Sequence, residues 1–302
     1  MRVVIAGGTG FIGAPLCEAL TRRGHEVTVV TRAPGRHPRA GEAREVSWDT
    51  DEWTRALGRA QGLINLAGES IAARRWTRSR KRLLQASRLE TTRRLIEALR
   101  PLPARPAVLI NASAVGYYGD RGDEILGESS PPGRGFLAET CVAWEMEAQR
   151  AEALGVRVVR LRMGVVLGPD GGALAQMVPP FRLGLGGPLG GGRQWVSWIH
   201  REDVIRLIEW ALTHPALNGA LNATAPQPVT MRQLAHALGR ALHRPACLPV
   251  PAIGLRVLLG EMATVLLASQ RVLPEAAQRT GYPFQFPELS AALERCLRHT
   301  RQ

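Results

Sequence analysis

The run Gly7-Gly8-Thr9-Gly10-Phe11-Ile12-Gly13 has the residue types that let a backbone come close to a pyrophosphate. It follows the short apolar stretch Val3 to Ala6 and opens a helical pattern, so its N–H groups stand at a helix N-terminus, where anions are favoured. Gly7 suits the tight turn, Gly10 the approach of the phosphate and Gly13 close helix–strand packing, with Phe11 and Ile12 beside the ligand. Read blandly, the loop is an ordinary strand-to-helix turn; its place after an N-terminal strand favours a dinucleotide site. The second strand then decides which dinucleotide. It ends Val29-Val30-Thr31-Arg32, with no carboxylate to grip the ribose 2′-OH of NAD. Thr31 and Arg32 offer a hydroxyl and a guanidinium suited to a 2′-phosphate, so the cofactor is NADP(H), unless Arg32 is only a solvated charge. The fourth strand runs into Asn65-Leu66-Ala67-Gly68, whose small residues place Leu66 and Ala67 beside the cofactor.

Reactive side chains are sparser. Tyr117 and Tyr118 are the only tyrosines near the expected nicotinamide, and Ser113 can bond a substrate carbonyl from the end of the fifth strand. A phenol without a cationic neighbour stays near a pKa of about 10 and is a weak base, though it can donate a hydrogen bond. Arg162, at the end of the sixth strand, is the cation that could stand beside them. Packing in the core or pocket wall is the competing reading for both tyrosines. His200 and Asp203 share a face if helical, either as an oriented imidazole or as a polar cluster at a helix start that joins two lobes. Trp195, Trp198 and the loop from Gly184 to Gly192 either line an apolar pocket between the lobes or only pack their interface.

The elements that must position these residues are an α/β set. Short apolar runs at Val3–Ala6, Val27–Val30, Ala43–Trp48, Gly62–Leu66, Val108–Asn111 and Val156–Leu161 alternate with helical patterns at Ile12–Arg23, Arg78–Leu99 and Leu137–Leu154. Stacked βαβ units of this kind make a doubly wound parallel Rossmann sheet. After Arg162 the Gly- and Pro-rich stretch from Gly164 to Gly192 reads as a connection into a second lobe. Trp198 to Leu212 returns to helical periodicity, and Leu221 to Thr224 adds an edge strand. Residues 1–165 are thus the NADP-binding domain, with 197–224 returning to it, and 166–302 form a smaller, mostly helical lobe for substrate or partner.

An apolar fraction of 45% in 302 residues supplies a core for this arrangement. Four scattered cysteines give neither a CxxC pair nor zinc spacing, so no metal is expected and the thiols read as buried and reduced. Basic residues giving a net charge of +13 are spread along the chain without a nucleic-acid signature. No leader or membrane span is visible, and the chain reads as cytoplasmic. Lys81 is its one lysine.

These motifs resemble the extended short-chain dehydrogenase/reductases: the glycine loop, the Asn-Leu-Ala-Gly turn, Tyr118-Gly119, the segment Arg162 to Pro169, and Trp198-Ile199-His200 followed by Asp203. More narrowly, Arg74-Arg75-Trp76, Ser87 to Thr92, Ser113 to Gly119 and Pro180 to Pro188 are similar to the atypical "epimerase family protein" group, whose C-terminal segment is a domain of unknown function. The resemblance covers essentially the whole chain. It implies cofactor contacts at Thr31, Arg32, Leu66, Ala67 and Arg88, with Arg162 a further candidate contact from the sixth strand, and short-chain relatives are often dimers. Arg88 fits physically, since a helix after the fourth strand can aim a guanidinium back at a phosphate, though it also suits a surface helix.

The wider superfamily works through Tyr-x-x-x-Lys, and this chain departs from it. Leu137 and Cys141 stand at the expected Tyr and Lys positions, Ala114 at the Ser/Thr position with Ser113 one place off, and Val196 where an arginine would hold a sugar nucleotide. Two functions remain. One is an NADPH-dependent oxidoreductase or epimerase on an unknown small molecule, with Ser113, Tyr117 and Tyr118 as catalytic candidates. The other is a non-catalytic NADPH-binding sensor or scaffold.

Overall fold

The computed structural model describes residues 1–35 and 43–298. Its centre is a seven-stranded sheet, all parallel, in which β1 (Arg2–Ala6), β2 (Glu26–Thr31), β3 (Arg44–Ser47), β4 (Gly62–Asn65) and β5 (Val108–Ala114) are joined by two later strands. Between them run α1 (Gly13–Arg22), α2 (Glu52–Leu57) and α3 (Arg78–Leu99). Beyond β5 come β6 (Ile125–Leu126), α4 (Phe136–Gln149) and β7 (Arg157–Met163), which pairs with β5 from Val108–Arg157 to Ala114–Met163. The sheet closes with β11 (Gly219–Ala223), and its strand order is β11-β7-β5-β4-β1-β2-β3. Reversal of winding beside β1 puts the carboxyl ends of β1 and β4 at the switch point, where doubly wound folds hold ligands.

Both faces of the sheet are covered, which is why its strands are near-continuous apolar runs rather than alternating ones. Val3, Ile5, Val29, Ile64 and Ile110 pack with Leu16 and Leu20 of α1 on one face. Their neighbours Val4, Val30, Leu63 and Leu109 pack with Trp53 and Leu57 of α2 and Leu95, Ile96 and Leu99 of α3 on the other. The period of two along each strand thus sorts the core into two layers.

From β7 the chain continues as β8 (Val165–Leu167), α5 (Gly172–Arg182), β9 (Trp195–Val196), β10 (Trp198–His200), α6 (Arg201–Thr213) and β11 (Gly219–Ala223). β11 joins the edge of the main sheet beside β7, and α6 covers it with Val204, Leu207 and Ile208. Then follow β12 (Val229–Thr230), α7 (Met231–Leu242), α8 (Ala252–Leu259), α9 (Thr264–Leu267), β13 (Arg271–Val272), α10 (Glu275–Arg279) and α11 (Leu289–Arg298). α5, α7 and α11 share their own core of Leu174, Phe181, Leu234, Leu238, Leu293 and Leu297, with Trp198 fully buried among them.

Two expectations need correcting here. Trp198 to His200 is a strand paired with β8, and the helix begins only at Arg201. Indole and β-branched residues in that stretch fit a pleated pair, and the periodicity had blurred the boundary. The Gly- and Pro-rich connection also holds α5, with Pro179 and Pro180 inside it. Their carbonyls still accept from the Leu183 and Leu185 N–H groups at 3.2 and 2.9 Å, so the prolines sit where the helix is ending. Of the cysteines, Cys17, Cys141 and Cys296 are buried as expected and Cys247 is exposed. Among the described residues, no helix is long and apolar enough to cross a membrane.

Candidate functional site

At the carboxyl end of β1 the glycines have separable reasons. Gly7 has φ +79, and a Cβ there would lie 2.6 Å from the Leu66 carbonyl carbon, so the loop presses against the turn after β4. A Cβ on Gly13 would come 2.1 Å from the Gly7 carbonyl oxygen, which closes helix onto strand. Gly10 is different. It is exposed, and its Cβ would meet only the Gly7 oxygen, at an unstrained 3.4 Å. Among the described residues nothing requires a glycine there. Beneath it α1 starts at an N-cap, Ile12, with no side-chain capping bond. Phe11 turns away from the loop: its ring fills a cup made by Gly168, Gly171 and Gly172, where any Cβ would approach to about 2.7–2.8 Å. Arg201 stacks on that ring at 4.9 Å and donates to the Phe11 carbonyl at 3.3 Å.

Thr31 ends β2 buried, its hydroxyl accepting from the Ala33 N–H at 3.4 Å, and Arg32 beside it is exposed. The turn after β4 is shaped by the buried Asn65, whose Oδ1 accepts from the Ala67 N–H at 3.2 Å while Nδ2 donates to Thr92 and Asn111 at 2.9 and 2.7 Å. Leu66 and Ala67 are therefore held at the switch point. Arg88 lies under the same turn, donating to the Leu84 and Glu69 carbonyls at 2.8 and 3.0 Å, with its guanidinium 5.2 Å from the Trp144 ring. Burial lowers its pKa, and a Cβ on Gly68 would meet its guanidinium carbon at 3.3 Å, so the group lies close beneath that glycine.

The carboxyl ends of β5 and β7 carry a second arrangement, tied by one carboxylate. Glu145 of α4 is buried and binds Arg162 through both oxygens, with Nε and Nη2 at 2.8 Å. It also accepts from the Ser113 hydroxyl at 2.7 Å. Arg162 Nη1 donates to the Tyr118 hydroxyl at 3.0 Å and to the Glu128 carbonyl at 3.2 Å, and the Tyr118 hydroxyl donates in turn to Asn222 Oδ1 at 2.7 Å. Burial alone would lower the guanidinium's pKa; the bonds and charge of Glu145 outweigh it and leave it raised. Tyr118 is fully buried and desolvation pushes its pKa up to about 12, so it is a neutral donor rather than a base. Ser113 is 1% exposed and already bonded. Tyr117 alone of the three is half-buried, with its ring stacked 3.5 Å from the Arg162 guanidinium.

The cation proposed for the tyrosines is thus in place, but it is shared with Glu145. Sequence reasoning passed over Glu145. The available signal was a carboxylate four residues after Cys141 and eight after Leu137, hence on the inward face of α4. Leu137 on the same face lies against Gly116, whose Cβ would meet its Cβ at 3.4 Å. Lys81 has its Nζ bound to Glu261 at 2.9 Å and set over the Phe136 ring at 5.2 Å.

His200 and Asp203 do not form an acid–imidazole pair. His200 Nδ1 accepts from the Glu202 N–H at 3.2 Å and caps α6, and burial lowers its pKa to about 4. Asp203 accepts from the Gln285 and Phe286 N–H groups at 2.8 and 2.9 Å and from the Tyr282 hydroxyl at 3.3 Å, which fastens the segment before α11 onto α6. Trp198 is core, donating to the Gln227 carbonyl at 3.0 Å. Trp195 is half-buried, bound to Asp123 at 2.8 Å and covered by Arg271 at 4.3 Å.

Residues 3–223 match the NAD dependent epimerase/dehydratase family, and residues 250–296 match a domain of unknown function, DUF1731. The chain is 42% identical to the Arabidopsis thaliana protein called "Epimerase family protein SDR39U1 homolog, chloroplastic", over 97% of this chain and 86% of that one. It is 38% identical to the Bacillus subtilis epimerase family protein YfhF, over 98% of each. A crystal structure of the human epimerase family protein SDR39U1 with NADPH superposes with a TM-score of 0.89 at 38% identity, covering 99% of both chains. A Thermus thermophilus UDP-glucose 4-epimerase at 22% identity and TM-score 0.78 shares the fold.

Proposed function

Because the chain belongs to the NAD dependent epimerase/dehydratase family, we propose that it binds NADPH along the carboxyl edge of the sheet and acts as an oxidoreductase on a carbonyl-bearing small molecule, with Tyr117 as proton donor. The observation that carries the cofactor is Gly10: it is exposed, has no steric need for glycine, and stands over a helix N-terminus that no side chain caps. A phosphate accepts from such N–H groups and lies where a side chain would be. The human relative's NADPH complex supports the same choice. Arg32 and Thr31 would take the 2′-phosphate, and Leu66 and Ala67 the ribose and nicotinamide side.

When bound, NADPH supplies a hydride at its nicotinamide. The Tyr117 phenol would donate a hydrogen bond to the substrate carbonyl and give up its proton as charge builds on that oxygen. Arg162, 3.5 Å under the ring, favours the phenolate left behind. Ser113 and Tyr118 hold Arg162 and Glu145 in place without meeting substrate. A non-redox role for the bound cofactor is the second reading. It is favoured by the commitment of Ser113, Tyr118 and Arg162 to one another, which leaves a single accessible hydroxyl.

Titration with NADPH and with NADH, followed by ligand fluorescence and melting temperature, tests the cofactor. Tight NADPH binding that weakens at least tenfold for NADH and in Arg32→Ala is expected; absence of binding by either dinucleotide sinks both readings. A carbonyl panel then divides them. Turnover that is lost in Tyr117→Phe supports the oxidoreductase, and no NADPH oxidation above background leaves the sensor.

A further inference from the structure

The family-like motif Arg74-Arg75-Trp76 has no part in the site above, and neither does the strongly basic start of α3, Arg78-Ser79-Arg80-Lys81-Arg82. That start has no acidic residue in its first turn, so it stacks cations on the positive end of the helix dipole, against helix stability. Arg80 and Lys81 are neutralised by Glu69 and Glu261 at 3.1 and 2.9 Å. Arg74, Arg75, Arg78 and Arg82 are exposed and pair with no carboxylate among the described residues. Arg78 and Arg82 are one turn apart on the same helix face, and Arg74 and Arg75 precede it.

The cluster adjoins α4 through Trp76. It follows the turn after β4, and Trp76 packs on Phe136 at 5.3 Å, next to Leu137, which touches the Gly116 beside Tyr117. Its other neighbour is α8. Arg75 Nη2 donates to the Val257 carbonyl at 3.3 Å, and the Lys81–Glu261 pair anchors the chain just past the helix. α8 buries only Leu255, while Ile253, Val257 and Leu258 are 73%, 73% and 69% exposed. An exposed aliphatic face touched by Arg75, itself one of four neighbouring guanidiniums without a carboxylate partner among the described residues, matches a ligand that is apolar along its length and anionic at one end.

We infer that Arg74, Arg75, Arg78 and Arg82 take the anionic group of an amphipathic aliphatic substrate whose apolar part lies on the outer face of α8; this rests on the oxidoreductase reading. The substrate class is then a carbonyl compound carrying a carboxylate or phosphate on an aliphatic chain.

The test is calorimetry with decanoate as the probe, and with decanol and acetate standing for its apolar and anionic halves, on the full chain with and without NADPH. Decanoate is expected to bind more tightly than either half. Its Kd should rise at least tenfold in Arg74→Gln/Arg78→Gln and in Val257→Ser/Leu258→Ser, whose side chains are exposed, while the Kd for NADPH stays within twofold of wild type. Decanoate binding that is unchanged in both variants overturns the inference. So does a parallel loss of NADPH affinity in the arginine variant, since the cluster would then grip the cofactor. Failure of wild type to bind NADPH strikes the cofactor reading instead, and is read in a separate titration.

Discussion

The two ends of the sheet's carboxyl edge are built in opposite ways. Around β1, β2 and β4 the protein leaves groups unfinished: Gly10 has open space above it, the α1 N-terminus has no side-chain cap, and Arg32 is exposed. Around β5 and β7 the strong polar groups Ser113, Glu145, Arg162, Tyr118 and Asn222 finish one another internally, and Arg160 Nε on β7 is the buried exception. An unfinished edge waits for a ligand that completes its hydrogen bonds; a finished one resists unfolding and presents little to a substrate. On the proposed reading, binding and structure are divided between neighbouring strands, with Tyr117 at the seam.

The sharpest way to break this contrast is to cut the finished end. Arg162→Ala leaves the Glu145 carboxylate buried without its bidentate partner, and loss of one member of a buried pair costs about 3–5 kcal/mol. Urea unfolding should show that loss, while the triple replacement Ser113→Ala/Glu145→Leu/Arg162→Met recovers most of it. A drop below about 1 kcal/mol in Arg162→Ala would mean the network is loosely solvated and that the two ends are not so different.

Acid should loosen the start of α6, which His200 caps. His200 titrates near 6.5 when unfolded and, because burial disfavours its charged form, near about 4 when folded. The unfolded chain therefore takes up the proton first as pH falls, so this contribution is complete above pH 6.5 and is lost progressively toward pH 4. The full span is about 3 kcal/mol. His200→Asn keeps an N-cap acceptor but no titration, and its stability between these pH values should be flatter than wild type. Equal slopes in the two proteins would reject the assignment.

Much of the unfinished end was legible in the sequence because its constraints are local. A glycine with a positive φ, or one whose Cβ would strike a backbone atom, is a one-residue signal, and Gly7 and Gly13 carry it on their own. The buried strands were equally plain as apolar runs. The finished end was not legible, since Glu145 matters only through partners 17 and 32 residues away, which nothing in the local pattern of α4 announces. His200 and Asp203 show the same difficulty. Their spacing suggested a pair, yet Asp203 turns to Gln285 and Phe286, more than 80 residues on, and the strand before them masqueraded as helix.

The unfinished end can be probed with methyl groups. Gly13→Ala drives a Cβ to 2.1 Å from the Gly7 oxygen and should unfold or distort the loop, whereas Gly10→Ala meets only an ordinary contact at 3.4 Å. Gly10→Ala should therefore melt within a few degrees of wild type yet bind NADPH at least tenfold more weakly, about 1.4 kcal/mol. Unaltered NADPH affinity in Gly10→Ala would show that the space above the loop is not where a phosphate lies.

The smallest stability effect is expected at the seam, and it separates two adjacent hydroxyls. The Tyr118 hydroxyl donates to Asn222 and accepts from Arg162 in full burial, so Tyr118→Phe leaves both partners short and should cost about 1–3 kcal/mol. The neighbouring Tyr117 ring keeps its stacking on Arg162 when the hydroxyl is removed, and Tyr117→Phe should stay within about 0.5 kcal/mol of wild type. If Tyr117 is the proton donor, that nearly silent variant is the one that loses turnover, because a ring that packs identically can no longer deliver a proton. If instead Tyr117→Phe destabilises as much as Tyr118→Phe, its hydroxyl belongs to the finished network as well. No side chain at the seam would then remain to meet a substrate, and the bound cofactor would be left with a non-redox role.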